Sequence, residues 1–322
     1  MWYRPAMNAS TEIIPYAGWG RNLRIANADV ELVATLEVGP RILRYAAAPG
    51  ARNLFGETPD QLGKSGEPHW MLRGGHRLWT APEDKTRTYA PDNQPVAHEV
   101  RAANGGVRVR LTQRPDQAYG IQKELDLALG PSGSRVAVVH RITNVGGQPV
   151  TLAPWALTVM PPGGTGIVPL PAKRPHPGSL PHSTDADYWP SQTIALWSYL
   201  DLKDPRLGLG THFITARQDP HATTRLKFGL SHDAGWLGYW REGDLFVKTI
   251  DYQRDQTYPD RGCNFELYTD PNILEVETLG PLVTLAPGAK TEHTETWTLF
   301  SGVGPIADEA SIAASILPLL EK

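Results

Sequence analysis

Three glutamates and a tyrosine stand at even spacing in one short stretch: Glu266, Tyr268, Glu275 and Glu277. The alternating runs Cys263–Thr269 and Ile273–Leu279 flank Asp-Pro-Asn, the pattern of a β-hairpin. With Tyr268 paired to Ile273, Glu266 faces Glu275 and Asn264 faces Glu277. Opposed residues share a face, so Asn264, Glu266, Tyr268, Glu275 and Glu277 line one side. Cys263, Phe265, Leu267, Leu274 and Val276 line the other, the core side. Crowded carboxylates repel and their pKa values spread. Such a face suits proton transfer to and from a hydroxyl. It also suits the plain solvated face of an antiparallel sheet.

A second dense stretch is WMLRGGHRLWTAPEDKTRTYAPDN, residues 70–93. It gathers Arg73, His76, Arg77, Trp79, Glu83, Tyr89, Asp92 and Asn93. Gly74-Gly75 allows close backbone approach or a bulge. Aromatic rings stack on the apolar faces of sugars, and Arg, Asn and carboxylates read hydroxyls, so this stretch suits a polyol site. A hydrogen-bonded structural role for His76 and a core role for Trp79 fit the same residues. Lys227 and Lys248 lie in alternating runs that could aim them at a cleft or at solvent. His176, His182, Asp185 and Asp187 are irregularly spaced, and neither HExxH nor His-x-His occurs, so no metal site is expected. Pro162–Gly166 lacks the Lys-Ser/Thr of a phosphate-binding loop, and no Gly-x-Ser-x-Gly elbow occurs. No cofactor is expected.

The elements that must position these residues are strands. The chain has 322 residues, 31 Gly, 29 Pro, ten Trp and eleven Tyr, and a net charge of −3. That charge argues against nucleic acid as a partner. No apolar run reaches the ~18 residues of a membrane span. With Cys263 as the one cysteine, an intrachain disulfide is impossible. The N-terminus lacks a secretory h-region, which predicts a cytoplasmic protein, with Met7 as an alternative start. Period-2 segments recur: Val30–Val38, Arg41–Tyr45, Val107–Leu111, Ile121–Leu129, Arg135–Thr143, Val150–Met160, Thr193–Leu200, Trp236–Trp240, Leu245–Ile250, Leu282–Leu285 and Thr291–Phe300. Pro305–Leu320 reads as the one helix, stopped by Pro318. The expected fold is an all-β antiparallel sandwich with a short C-terminal helix. A single domain over 1–322 is expected, with a Pro-rich loop insertion at about 161–192 that borders the cleft mouth.

Four stretches resemble the galactose mutarotase-like superfamily, which includes aldose 1-epimerases and hexose-6-phosphate 1-epimerases. NADVELVATLEVGPRILRYAAAPGARNLF is similar to its opening strands. Arg73-Gly74-Gly75 resembles the Arg-Gly-Gly of the sugar-phosphate branch. Ile142-Thr143-Asn144-Val145-Gly146, with Trp155-Ala156-Leu157-Thr158, resembles a segment ending in Ala-Leu-His-Thr. LEVETLGPLVTLAPGAKTEHTETWTLF resembles the closing strands that carry the catalytic Glu.

The resemblance implies a large twisted supersandwich with a sugar cleft on its concave face. It also implies a Glu that takes the anomeric proton and a His that protonates the ring oxygen. Glu277, or Glu275, stands at the Glu position. Leu157 stands at the His position, which leaves His76 as the substitute acid. Arg73 and Arg77 are then expected to bind an anionic or hydroxyl-rich end, and Trp79 and Trp155 to stack. Glu83, Asn93, Lys248 and Glu266 complete the polar lining. The expected partner is a small sugar or sugar derivative. The alternative is a non-catalytic carbohydrate-binding protein that lost the acid.

Overall fold

A computed structural model describes residues 8–48 and 50–321; Met7 lies outside them. In chain order the strands are β1 (Ser10–Tyr16), β2 (Trp19–Ala26), β3 (Val30–Thr35), β4 (Arg41–Ala47), β5 (His76–Ala81), β6 (Ala97–Ala103), β7 (Gly106–Thr112), β8 (Ile121–Leu129), β9 (Val136–Asn144), β10 (Val150–Met160) and β11 (Thr165–Pro169). They continue as β12 (Ile194–Leu196), β13 (Leu207–Leu209), β14 (Phe213–Arg217), β15 (Leu226–Leu230), β16 (Trp236–Arg241), β17 (Asp244–Thr249), β18 (Phe265–Thr269), β19 (Leu274–Leu279), β20 (Val283–Leu285) and β21 (Lys290–Ser301). A twelve-residue helix, α1 (Glu309–Leu320), follows, and short helical turns lie at Pro59–Gln61, Pro177–Ser179, Asp185–Tyr188 and Pro259–Gly262.

The strands form two antiparallel sheets. The first runs β1-β2-β3-β4-β5-β10-β19-β18-β15-β12, with β20 paired to β10. The second runs β13-β14-β11-β16-β17-β21-β9-β8-β7-β6. Between them lies one apolar core, with Leu32, Ile42, Leu78 and Met160 from the first sheet against Leu125, Val138, Phe246 and Trp297 from the second. Phe55 and Tyr45 meet Phe246 and Trp297 at ring separations of 5.4–6.0 Å. Each side chain of this size buried in full contributes ~1.5–3 kcal/mol. The helix covers part of the second sheet's outer side, where Ile312 and Ile316 pack with Phe213, Trp236 and Val247. Among the described residues no helix is long and apolar enough to cross a membrane.

The all-β reading holds, and the differences from it are local. β3 ends at Thr35 and is buried on both faces rather than half-buried. The run Thr193–Leu200 yields only β12, because the chain leaves the sheet at Trp197. The helix runs two residues past Pro318 instead of stopping there. A proline in the last turn removes one hydrogen bond, and the packing of Ile312 and Ile316 outweighs that loss.

The hairpin β18–β19 is two residues out of the expected register. Thr269 pairs with Leu274, Tyr268 with Glu275, and Glu266 with Glu277. Asp270 fixes the turn one residue further along the chain: its Oδ1 accepts from the amides of Asn272 at 2.7 Å and Ile273 at 3.1 Å. A slip of two preserves the faces, so the three glutamates still share one.

Candidate functional site

β10 is the central strand of the site, flanked by β5 and β19. Successive side chains point to opposite faces, and the registers build three rows on the outer face of the first sheet. The first row is Trp79, Trp155 and Leu279. The second is Arg77, Leu157, Glu277, Glu266 and Gly229. The third is Val159, Glu275, Tyr268 and Lys227. Gly229 makes room in the second row, since a Cβ there would lie 2.5 Å from Cys263 Sγ and 3.2 Å from Glu266 Cγ.

Two ion clusters occupy these rows. Arg77 donates to Glu275 at 2.7 Å and stacks on Trp79 with its guanidinium carbon 4.2 Å from the ring centre. Lys227 Nζ lies 2.8 Å from Glu266 and 3.3 Å from Glu277. The same ammonium sits over the rings of Trp155 at 4.5 Å and Trp197 at 4.7 Å. Glu277 Oε2 also accepts from Trp155 Nε1 at 2.8 Å. Glu277 Oε1 and Glu266 Oε1 are buried without a partner, and Glu266 Oε2 has the Lys227 ammonium alone.

The electrostatics follow from one cation between two carboxylates. Burial disfavours the charge of Lys227, but Glu266 and Glu277 outweigh it and hold its pKa above the ordinary lysine value. Burial pushes Glu266 well up, and the charge of Glu277 adds to this against the pull of Lys227. Burial and Glu275 raise Glu277, while Lys227 and the Trp155 N–H pull it back. A single ammonium neutralises one carboxylate. Burial raises both carboxyls, Glu266 the more, so Glu266 is the stronger proton holder of the pair and Glu277, with the extra indole donor, the better acceptor. The face therefore presents a base and an acid on adjacent strands.

A cavity of about 400 Å³ opens over Trp155 and Trp197, the two indoles that cover Lys227, and is lined by Glu83, Tyr89 and Asp260 among others; the fully buried Glu266 and Glu277 lie behind the indoles and are not on its lining. Tyr89 donates to Glu83 at 2.5 Å across its rim. Trp155, Trp79 and Tyr89 stack edge to face, with centroids 5.1–5.4 Å apart. Flat apolar surface beside buried carboxylates is the lining that a sugar ring requires.

Other expected residues lie elsewhere. His76 neighbours Arg77 and so points the opposite way, between the sheets. Its Nδ1 meets Thr158 Oγ1 at 2.8 Å and its Nε2 meets His140 Nε2 at 2.7 Å. The expected pairing of His76 with Glu277 is therefore not made: a layer of sheet separates them. Lys248 is also between the sheets, donating to Glu295 at 2.9 Å and to the Ala156 carbonyl at 3.2 Å, and does not line the outer face.

Arg73 is buried under the loop that precedes β5. It donates to Asn93, to Glu67 at 2.5 Å and to the Lys64 carbonyl at 3.2 Å. Asn93 in turn donates to the carbonyls of Glu67 and His69. These two residues fix a loop rather than meet Glu277. Gly74 and Gly75 do allow close approach: with φ of +92° and +70°, a Cβ on either would fall within 2.3 Å of a backbone oxygen.

The interior cluster comprises His76, His140, His293, Glu295, Lys248, Thr158 and Thr278. His76, His140 and Glu295 offer ligand atoms within 4.8 Å of one another, enough to consider a metal ion. Yet each atom already has a partner. His140 Nδ1 donates to the His293 carbonyl at 2.9 Å, and Thr278 bridges Glu295 at 2.5 Å and His293 at 2.7 Å. Trp297 Nε1 takes the second Glu295 oxygen at 2.7 Å. Burial drives all three histidines down, His293 to about 3. Against burial, Lys248 and the histidines hold Glu295 down to about 2. Neutral imidazoles and a paired carboxylate complete the network without an ion.

Sequence reasoning left Trp197, Asp260, His140, His293 and Glu295 unremarked. Period-2 spacing in His293-Thr-Glu295-Thr-Trp297 was the available signal for the last group. The Pro-rich segment does not line the cavity beside Glu277; Trp197, a few residues beyond it, does.

No protein-family model matches the chain, and no curated protein does. Solved structures do. A TPR-domain containing protein from Parabacteroides distasonis matches 89% of this chain at 14% identity and a TM-score of 0.58; this chain spans 48% of that protein. A candidate aldose 1-epimerase from Klebsiella pneumoniae matches 97% of this chain and 87% of its own length, at 13% identity and a TM-score of 0.57. A galactose mutarotase-like protein from Lactobacillus casei matches 87% of this chain and 100% of its own, at 10% identity and a TM-score of 0.53. The chain has the galactose mutarotase-like fold.

Proposed function

We propose that this protein acts on a sugar, opening and reclosing the ring of an aldose or an aldose derivative. The observation that supports this reading best is the Glu266–Lys227–Glu277 trio beside an aromatic cavity. Glu277 takes the proton of the anomeric hydroxyl while Glu266 gives its proton to the ring oxygen. The bond from C1 to the ring oxygen breaks as the C1 carbonyl forms. Rotation about C1–C2 and the reverse proton transfers close the other anomer and restore both carboxyls. Both oxygens are bonded to C1, so an acid and a base on adjacent strands can serve them together. Lys227 keeps the pair at a single negative charge, and Trp155 and Tyr89 offer flat surface for the ring.

Leu157 favours a second reading, a carbohydrate-binding protein without catalysis. It lies in register between Arg77 and Glu277 and brings no proton to the face. Two-dimensional NMR exchange between anomers, over a panel of aldoses and sugar phosphates, separates the two. The enzyme reading expects exchange above the buffer rate that disappears in Glu277→Gln while sugar affinity holds. A wild-type protein that binds a sugar yet exchanges no anomer above buffer overturns it in favour of the second reading.

A further inference from the structure

The Pro-rich segment encloses a cavity of about 680 Å³ against residues 231–233, Tyr252 and Arg254. Its lining and that of the cavity beside Glu277 share no residue. His232 is the fixed point of this second cavity. It is 3% exposed, and its ring stacks on Phe265 at 4.4 Å with 8° between the planes. The buried Asn264 clamps its main chain from both sides, accepting from the amide at 3.0 Å and donating to the carbonyl at 2.7 Å.

His232 Nδ1 accepts from the Ala234 amide at 3.2 Å. A neutral ring then carries its proton on Nε2, and Nε2 is buried without a partner. Burial lowers the ring's pKa to about 4, so it stays neutral near pH 7. A buried, immobile donor without an acceptor is a costly feature, and an incoming oxygen would relieve it.

The charges around the cavity indicate which oxygen. Two acidic residues line it, and both are engaged: Asp233 by Arg254, and Asp187 by the Thr184 amide and hydroxyl at 2.8 and 2.9 Å. Lys173 and Arg174 are exposed on the lining and make no ion pair among the described residues. Trp189, also on the lining, is 69% exposed, an open face on which a ring can stack.

We propose that this cavity binds a sugar bearing an oxyanion, a carboxylate or a phosphate. The oxyanion meets His232 Nε2 with Lys173 and Arg174, and the ring stacks on Trp189. The inference does not depend on the chemistry assigned to Glu277.

Calorimetric titration with glucuronate, glucose 6-phosphate, glucose and inorganic phosphate tests it. At least one of the two anionic sugars should bind, and which one does separates carboxylate from phosphate. Glucose and inorganic phosphate should bind at least tenfold more weakly. The surface double variant Lys173→Glu/Arg174→Glu should weaken the anionic sugar roughly tenfold or more. Binding should also shift the His232 Nε2–H resonance. Failure of both anionic sugars to bind overturns the proposal, as does phosphate binding as tightly as either sugar. Binding that ignores the double variant and leaves the His232 resonance unmoved would assign the ligand to the other face, and would equally overturn it.

Discussion

The two faces of the first sheet each hold a buried ionic cluster, and the clusters differ in completeness. Between the sheets, Glu295 and Lys248 sit among three neutral histidines, and both carboxylate oxygens of Glu295 are taken. On the outer face, Glu266 and Glu277 share one ammonium and each leaves one oxygen without a partner. A complete polar network rigidifies a fold. An incomplete one beside a cavity holds energy that a ligand can release. The protein therefore keeps its best-satisfied polar groups between the sheets and its least satisfied ones on the outer face, one indole layer from a cavity.

Substitutions on either side should give opposite signatures. The largest effect belongs to Glu277→Gln, which removes the proton acceptor. Anomer exchange should fall ~10²–10⁴-fold, with the urea midpoint unchanged or raised, because a buried carboxylate with an elevated pKa is lost. A midpoint that collapses with the activity would make the outer cluster structural too.

Next is Lys248→Met, which strands Glu295 in the core. Urea unfolding at pH 7 should show a loss of ~3–5 kcal/mol, with unchanged exchange per folded molecule. His76→Asn should likewise cost stability rather than exchange. Selective loss of exchange in either variant would join the two faces functionally.

A smaller, pH-dependent effect separates them further. His293 titrates near 3 in the fold, against an ordinary 6.5. Between those values it is protonated mainly in the unfolded chain, so stability falls as pH falls from 6.5 toward 3. Each such group contributes a slope of at most ~1.4 kcal/mol per pH unit. Denaturation of His293→Asn across that window should be flatter than wild type by up to one such slope; equal slopes would exclude His293. Smallest of all, Trp155→Phe removes one donor from Glu277. The Glu277 limb of the pH–rate profile should then move to higher pH, and an unmoved limb would mean that the indole does not tune it.

The hairpin carrying the three glutamates was legible because each of its strands alternates polar with apolar residues, and a slip of two leaves faces unchanged. β5 was not legible in this way. In His76-Arg77-Leu78-Trp79 two polar residues precede two apolar ones, and both faces are buried. Nothing local says which of His76 and Arg77 faces out. The same holds for Lys248 in β17, whose central residues are buried throughout. Arg73 and Asn93 carry site-like chemistry that the tertiary structure spends on loop carbonyls. Trp197 reaches Lys227 only because β12 docks on β15, a pairing that skips over β13 and β14 and that no short-range pattern encodes.

That docking sets a kinetic condition on the site. β12 has three residues, lies at the end of its sheet and pairs with β15 alone. Trp197 follows immediately and roofs the ammonium that Glu266 and Glu277 share. Short terminal strands open at small free-energy cost. Entry to the carboxylate pair would then be paced by fraying of this strand rather than by diffusion to an open cleft. The exchange rate of the Ala195 amide, measured in the absence of sugar, would give the ceiling on the rate at which a sugar can arrive.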